Sequence, residues 1–223
     1  MKLPISIFII TKNEADRILN VINCVKTFAD EIIVIDSGSS DNTTDIALKA
    51  GAKVIYNEWQ GYGPQKIFGE EQCRNNWILN IDADEEVSKE LSQEITEIFS
   101  QNKQENFWGF RVKIVNKFLF EEKPKKFAYY YNQLRLYNKE YAGFKNSTIH
   151  DSVELKVKDY KKIGQLNKTI YHQSFRSFAH WIEKINSYSS MQAQDSFAKK
   201  KNASVLKILL IPTFAFLKAY IVR

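Results

Sequence analysis

Residues 1–84 alternate short apolar runs with stretches of helical periodicity. The runs at 3–10, 31–35, 52–56 and 77–81 are rich in isoleucine and valine, which is typical of buried strands. Between them, apolar residues recur at helical spacing, for example Ile18, Ile22 and Val25. Because strands that alternate with helices form parallel sheets covered by helices, the pattern predicts an α/β fold with a doubly wound, mostly parallel sheet.

Beyond residue 106 the pattern changes to short strand-like segments. Segments 108–115, 133–137, 152–157 and 165–171 predict an added mixed or antiparallel sheet within the same domain, and residues 177–201 and 204–222 predict two closing helices. The last segment is apolar except for Lys207 and Lys218 and contains Pro212. It therefore suits a helix lying in a membrane interface better than a membrane span. A helix docked on the protein's own core is the alternative.

Acidic residues follow three of the predicted strands. Glu14 comes shortly after the first, Asp36 and Asp41 after the second, and Asp82 and Asp84 after the strand at 77–81. The carboxyl ends of parallel strands share one edge, where ligands bind in open α/β sheets. Two carboxylates one residue apart can share a hard divalent cation that also takes phosphate oxygens.

A structural explanation is also open for these acids. Asp84 with Glu85 and Glu86 could open the helix that starts near Val87, with Asp82 as a turn former, and Asp41 could cap a helix. The chain contains neither GxGxxG nor GxxxxGK[ST], so the dinucleotide fingerprint and the P-loop are not supported.

Composition and charge limit the functional classes to which the chain can belong. The net charge is +6, and lysines concentrate in the second half, which suits an anionic membrane, a phosphorylated substrate or nucleic acid; a solvated lysine face is the alternative. Two cysteines without CxxC spacing indicate reduced thiols and no structural zinc site. The start is not a secretory signal. A metal-dependent nucleotidyltransferase and a non-catalytic basic protein that binds membrane surfaces or nucleic acid are the competing hypotheses.

Three segments in order carry a family resemblance: 11–14 (TKNE), 36–43 (DSGSSDNT) and 82–85 (DADE). Together they resemble the inverting nucleotide-sugar glycosyltransferases of family 2, which have the GT-A fold. Within that family the chain is most similar to bacterial lipopolysaccharide core glucosyltransferases, by its residues 59–63 (WQGYG), 65–66 (QK), 149–151 (IHD) and 171–172 (YH). Members of this subfamily commonly continue some tens of residues beyond position 223.

The resemblance implies a division into a GT-A catalytic domain at 1–175 and a helical, membrane-associating segment at 176–223. The catalytic domain would comprise a nucleotide-sugar-binding half at 1–105 and an acceptor half at 106–175. The implied reaction transfers a hexose, with glucose expected, from a UDP-sugar to a lipopolysaccharide core or lipid-linked acceptor. The implied location is the cytoplasmic face of the inner membrane, with peripheral attachment and no nucleic-acid partner.

The resemblance also implies roles for named residues. Asp36 would accept a hydrogen bond from the uracil imide, Asp82 would approach the ribose or sugar, and Asp84 would bind Mg²⁺ or Mn²⁺. His172 could supply another metal ligand, with a structural histidine as the alternative. The remaining residues implied in nucleotide-sugar binding are Thr11, Asn13, Glu14, Asp41 and Lys66. Arg74 could join Lys66 at the diphosphate, with a solvated helix face as the alternative for each of the two.

Inversion requires a base that takes the proton of the acceptor hydroxyl. By resemblance this is Asp151, which directly follows His150; Glu154 is the next candidate. Most members of the subfamily carry glutamate at this position, and the aspartate side chain is one methylene shorter.

Overall fold

The computed structural model describes residues 2–118, 120–126, 128–145, 152–157, 159–200 and 204–217. The chain forms two compact units. The first comprises Met1–Pro124 and Ala128–Gln173, and the second Lys125–Phe127 and Ser174–Arg223.

The predicted alternation of strands and helices in the first part of the chain is confirmed. Each apolar run forms a strand, and each amphipathic stretch forms the helix that follows it. The elements are β1 (Leu3–Thr11), α1 (Ile18–Val25), β2 (Ala29–Asp36), α2 (Thr43–Lys49), β3 (Lys53–Tyr56), α3 (Tyr62–Glu71) and β4 (Trp77–Asp82).

The later strands extend the same sheet. They are β5 (Glu85–Val87), β6 (Gly109–Asn116), β7 (Tyr130–Asn138) and β10 (Ile163–His172), with β8 (Ala142–Phe144) and β9 (Val153–Leu155) paired separately. The strand order, within the described residues, is β3-β2-β1-β4-β7-β6-β10-β5. Strands β3, β2, β1 and β4 are parallel, whereas β7 is antiparallel to both β4 and β6. The predicted fold class, a mostly parallel α/β sheet with added antiparallel strands and C-terminal helices, is confirmed.

Strand β1 lies between β2 and β4 and is almost wholly buried, as its mainly apolar sequence predicts. One face of the sheet packs on α1 and α4 (Lys89–Ser100), the other on α3. Helix α3 approaches β1 closely at Gly69, where an added Cβ would lie 2.6 Å from the Phe8 ring. A side chain at this position would push the helix away from the strand.

The segment after β4 contradicts the structural alternative in which its acids open a helix. Residues Glu85–Val87 form strand β5, which pairs antiparallel with β10. Helix α4 starts only after Ser88, whose Oγ accepts a hydrogen bond from Leu91 N at 3.2 Å. Glu85 and Glu86 therefore belong to the sheet and are not first-turn helix acids.

The second unit contains α5 (Phe178–Ala198) and α6 (Val205–Leu217). Helix α6 continues through Pro212, which the sequence suggested as an interruption. Its apolar residues are 45–74% exposed, so the helix lacks a buried face. Among the described residues, no helix combines the length and hydrophobicity needed to cross a bilayer.

Candidate active site

The candidate site lies at the carboxyl ends of three adjacent parallel strands. Thr11 ends β1, Asp36 ends β2 and Asp82 ends β4. The ends are level, because Thr11 pairs with Asp36 across β1 and β2 while Ile10 pairs with Asp82 across β1 and β4. The structure thus brings together the strand ends that the sequence pattern predicted to share one edge.

Asp36 organises the loop that follows β2. Its Oδ2 accepts hydrogen bonds from Gly38 N and Ser39 N, both at 2.9 Å, and its Oδ1 accepts one from Ser39 Oγ. Gly38 has a φ of +90°, a conformation that glycine adopts without strain. The loop is tied to β1, because Ser37 N and Oγ both donate to the Thr11 carbonyl at 3.1 Å. The buried carboxylate is therefore held in a fixed position at the strand end.

The loops after β1 and β2 are joined to each other. Ser40 N donates to Asn13 Oδ1 at 2.8 Å, and Glu14 N donates to Thr43 Oγ1 at 2.8 Å. Asp41 accepts from Thr43 N at 3.0 Å and from Ala15 N at 3.2 Å. Partial burial raises the pKa of Asp41, but these hydrogen bonds lower it overall. Asn13, Glu14 and Asp41 thus hold the loops after β1 and β2 in a fixed arrangement.

Asp82 belongs to a buried cluster of charges. Its Oδ1 lies 2.8 Å from Lys66 Nζ and its Oδ2 lies 3.2 Å from Arg135 Nη2. The same Nη2 lies 3.0 Å from Glu85 Oε1, and Arg135 Nη1 donates to Asn80 Oδ1 at 2.6 Å. Lys66 and Glu85 are completely buried. The cluster balances two cations with two carboxylates, as buried charges require.

The pKa values of the two carboxylates shift in opposite directions. Burial raises the pKa of Asp82, but the charges of Lys66 and Arg135 outweigh it and hold the pKa well below its usual range. Burial dominates at Glu85 and raises its pKa despite Arg135. The difference follows from the contacts, because Asp82 lies against both Lys66 and Arg135, whereas Glu85 lies against Arg135.

Arg135 is a site residue that the sequence interpretation missed. The available signal was a lone arginine within the apolar strand sequence 134–137, because an arginine buried in a sheet needs charged partners. The suggestion that Arg74 joins Lys66 at the diphosphate is wrong. Arg74 lies 2.7 Å from Asp30 at the opposite end of β2, roughly 20 Å of strand away from Asp36.

Asp84 and His172 form a carboxylate–imidazole pair beside the Asp82 cluster. Asp84 Oδ2 lies 3.4 Å from His172 Nε2 and 3.9 Å from Arg17 Nη1. His172 Nδ1 lies 3.2 Å from both Tyr131 Oη and Asn116 Oδ1. Burial lowers the pKa of His172, but Asp84, with Glu85 and Asp82 beyond it, raises it overall. The sequence interpretation also missed Arg17, whose guanidinium donates to the Gln173 carbonyl at 2.8 Å.

The Asp84 and His172 pair fits the metal that the resemblance implies. Mg²⁺ or Mn²⁺ holds ligands at roughly 2.1 Å, which places neighbouring octahedral ligands about 3.0 Å apart, close to the observed 3.4 Å. A carboxylate oxygen and an imidazole nitrogen are both suitable donors. Among the described residues, no group of three or more His, Cys, Asp or Glu side chains could hold a metal. As far as the described part of the chain is concerned, the diphosphate and water would supply the remaining ligands.

The predicted catalytic base, Asp151, lies outside the described residues, as does His150. The structure therefore leaves the role of Asp151 as a prediction. The second candidate, Glu154, is an exposed residue of β9, and its Oε1 lies 3.4 Å from Lys145 Nζ. Ser152, the residue after Asp151, is described and exposed.

Comparisons with known proteins agree with these features. The model of the family described as glycosyl transferase family 2 matches residues 6–155. The chain is 46% identical to a protein of Rickettsia felis described as an uncharacterized glycosyltransferase, over 98% of this chain and 79% of that protein. It is 28% identical to the lipopolysaccharide core biosynthesis glycosyltransferase LpsC of Rhizobium meliloti, over 98% of this chain and 81% of that protein.

Solved structures show more distant similarity. The crystal structure of S. aureus TarS 1-349 aligns with a TM-score of 0.49 and 16% identity, over 78% of this chain and 61% of that chain. Glucosyl-3-phosphoglycerate synthase from Mycobacterium tuberculosis, in complex with Mn²⁺, UDP and glucosyl-3-phosphoglycerate, aligns with a TM-score of 0.39 and 21% identity. That alignment covers 53% of this chain and 45% of the other.

Proposed function

The chain belongs to glycosyltransferase family 2, and we propose that it transfers a hexose from a UDP-sugar, with inversion, to a lipopolysaccharide core or lipid-linked acceptor. The observation that carries the proposal is the level placement of Thr11, Asp36 and Asp82 at three adjacent strand ends, with Asp84 and His172 beside them. Glucose is the proposed sugar.

The nucleoside would bind at the two joined loops. The Asp36 carboxylate is held at 2.9 Å by two backbone N–H groups on Oδ2, whereas Oδ1 accepts one hydroxyl donor and has a further lone pair. That lone pair can accept a hydrogen bond from the uracil imide. A rigid acceptor of this kind selects a base that presents an N–H at that position.

The diphosphate would bind near Asp84. Asp84 and His172 would hold Mg²⁺ or Mn²⁺, which when bound neutralises charge on the leaving diphosphate. Arg17 adds a positive charge 3.9 Å from Asp84 and is anchored through the Gln173 carbonyl. Lys66 is neutralised by Asp82 and supports the position of that carboxylate. Asp151 would take the proton of the acceptor hydroxyl in a single displacement that inverts the anomeric carbon.

The acceptor and the location rest on other observations. The LpsC protein, similar over almost the whole chain, is a lipopolysaccharide core biosynthesis enzyme by its name. The exposed apolar residues of α6 and the lysines at 123, 125, 126, 161 and 162 suit attachment to an anionic membrane surface. We place the protein at the cytoplasmic face of the inner membrane, with residues 1–175 as the catalytic domain, 176–223 as the attachment segment and no nucleic-acid partner.

Thermal unfolding with nucleotides tests this proposal. UDP at a hundred times its dissociation constant should add about 2.7 kcal/mol of stability, provided that Mn²⁺ is present. Asp84→Asn should lose the stabilisation by UDP with metal, whereas Asp45→Asn, which removes the same charge from the exposed start of α2, should keep it. Stabilisation by ATP or CTP in place of UDP would contradict the proposed donor.

The stereochemistry is tested with UDP-glucose, whose sugar is the α-anomer. Incubation with acceptor followed by proton NMR of the product should show a β-glycoside. An α-glycoside would contradict inversion, even if UDP binds as proposed.

A further inference from the structure

A cavity of about 230 Å³ opens beside the buried charge cluster. Within the described residues its lining consists of Arg111, Gln133, Leu134, Arg135, Phe144, Ser152 and Val153. This volume is somewhat below the roughly 300–1,000 Å³ of ligand pockets, so the cavity suits one substituent of a sugar and part of its ring. The lining contains two arginines and no acidic side chain among the described residues.

The two arginines differ in how their charges are balanced. Arg135 is paired with Asp82 and Glu85. Arg111 has no carboxylate partner among the described residues; its guanidinium makes one long hydrogen bond, from Nη1 to the Asn132 carbonyl at 3.4 Å. The cavity therefore has a net positive wall supplied by Arg111. A half-buried guanidinium with unused donors is a binding group for carboxylates and phosphates.

Neutral hydrogen-bonding groups complete the same wall. The side chains of Gln133 and Ser152 line the cavity and make no hydrogen bond within the part of the chain that the structure describes. A primary amide and a hydroxyl can donate to the oxygens of an anion or bond to sugar hydroxyls. Phe144 and Leu134 supply an apolar side on which a sugar ring can rest.

The position of the cavity relates it to the acceptor. Arg135 joins the cavity to Asp82 at the end of β4, and Ser152 directly follows Asp151, the proposed base. We infer that this cavity is a subsite for an anionic group, a phosphate or a carboxylate, on the sugar of the acceptor, with Arg111 as the residue that selects it. The assignment to the acceptor rests on the proposed function, whereas the binding of an anion can be measured independently.

The test uses the full chain with UDP and Mg²⁺ present, so that the donor site is filled. Glucose 6-phosphate, glucuronate and glucose are added separately in large excess at constant ionic strength, and the melting temperature is measured. We expect one of the two sugar anions to raise the melting temperature by about 3 °C more than glucose does. Which anion is effective distinguishes a phosphorylated acceptor from an acidic sugar. No difference from glucose would overturn the inference.

Matched variants locate the effect. Arg111→Gln should lose the response to the anion, and Arg111→Lys, which keeps the charge without the bidentate geometry, should keep part of it. Lys113→Gln removes one charge from an exposed position of the same strand and should respond like the wild type. Equal losses in Arg111→Gln and Lys113→Gln would show a general charge effect and overturn the inference.

The response to UDP separates the two proposals. If Arg111→Gln melts at the wild-type temperature and UDP still raises that temperature, the variant is folded. The loss of stabilisation by the anion is then due to the change in the cavity. If UDP does not raise the melting temperature of the wild type but a sugar anion does, the proposed donor is wrong and the anion subsite stands. If UDP stabilises and neither anion does, the proposed function stands and the subsite is wrong.

Discussion

Oδ2 of Asp84 lies 3.4 Å from Nε2 of His172, although the two residues come from distant parts of the sequence. The pair forms because β5, directly after Asp84, adds to the sheet beside β10, which places His172 opposite Glu85. Tyr131 and Asn116 hold the other ring nitrogen. The imidazole is therefore oriented before any ligand binds.

His172→Gln should raise the Mn²⁺ concentration that UDP binding requires. The substitution removes one of the two protein ligands proposed for Mn²⁺, and we expect the Mn²⁺ concentration needed for half-maximal stabilisation by UDP to rise at least about tenfold. His180→Gln, the same substitution in α5, should leave this concentration unchanged. An unchanged Mn²⁺ requirement in His172→Gln would assign the histidine a structural role.

Arg135→Met should destabilise the first unit strongly. It leaves the buried carboxylate of Glu85 and the partly exposed carboxylate of Asp82 without their shared cation, and removing one partner from a buried charge network costs about 3–5 kcal/mol. Urea denaturation should show this as a lower midpoint. The comparison variant Arg74→Met removes an exposed arginine and should leave the midpoint close to that of the wild type.

The sequence predicted those parts of the site that depend on local pattern. Each apolar run becomes a strand and each strand in a parallel sheet ends at the same edge, so Asp36 and Asp82 could be placed together without a structure. Arg135 could not be placed in this way, because its partners depend on β7 pairing with β4, far away in sequence. Strand β5 was missed for the same reason: the three residues 85–87 become a strand only through β10.

Asp36→Asn should weaken UDP binding and loosen the loop after β2. Two backbone N–H groups face Oδ2, and an amide lacks one of the two acceptor oxygens that the carboxylate offers. Losing one such acceptor costs about 1–2 kcal/mol, which is a loss in affinity of about 5- to 30-fold. Titration calorimetry with UDP and Mg²⁺ measures the loss, with Asp45→Asn as the control. If Asp36→Asn binds UDP with wild-type affinity, residues other than Asp36 hold the uracil.

Both cysteines should react slowly with iodoacetamide in the folded protein. Burial, reinforced by the charge of Glu86, raises the pKa of Cys24 to about 11, and burial with the charge of Glu31 raises that of Cys73 to about 12. Only the thiolate reacts, so at about pH 8 roughly one Cys24 in a thousand is reactive. The rate should increase as the pH rises toward these values, and urea should abolish the protection. Rapid labelling at about pH 8 without denaturant would contradict this prediction.

Asp151→Asn should separate binding from chemistry. An amide cannot take the proton of the acceptor hydroxyl, so kcat should fall about 10²- to 10⁴-fold while the UDP-induced rise in melting temperature stays at the wild-type value. Glu154→Gln is the matched comparison three residues further on. Its carboxylate is exposed and faces Lys145, which directly follows β8, so losing it should affect kcat little. If Glu154→Gln loses activity and Asp151→Asn keeps it, Glu154 is the base. If both keep wild-type turnover, the proton goes to a group outside 151–154.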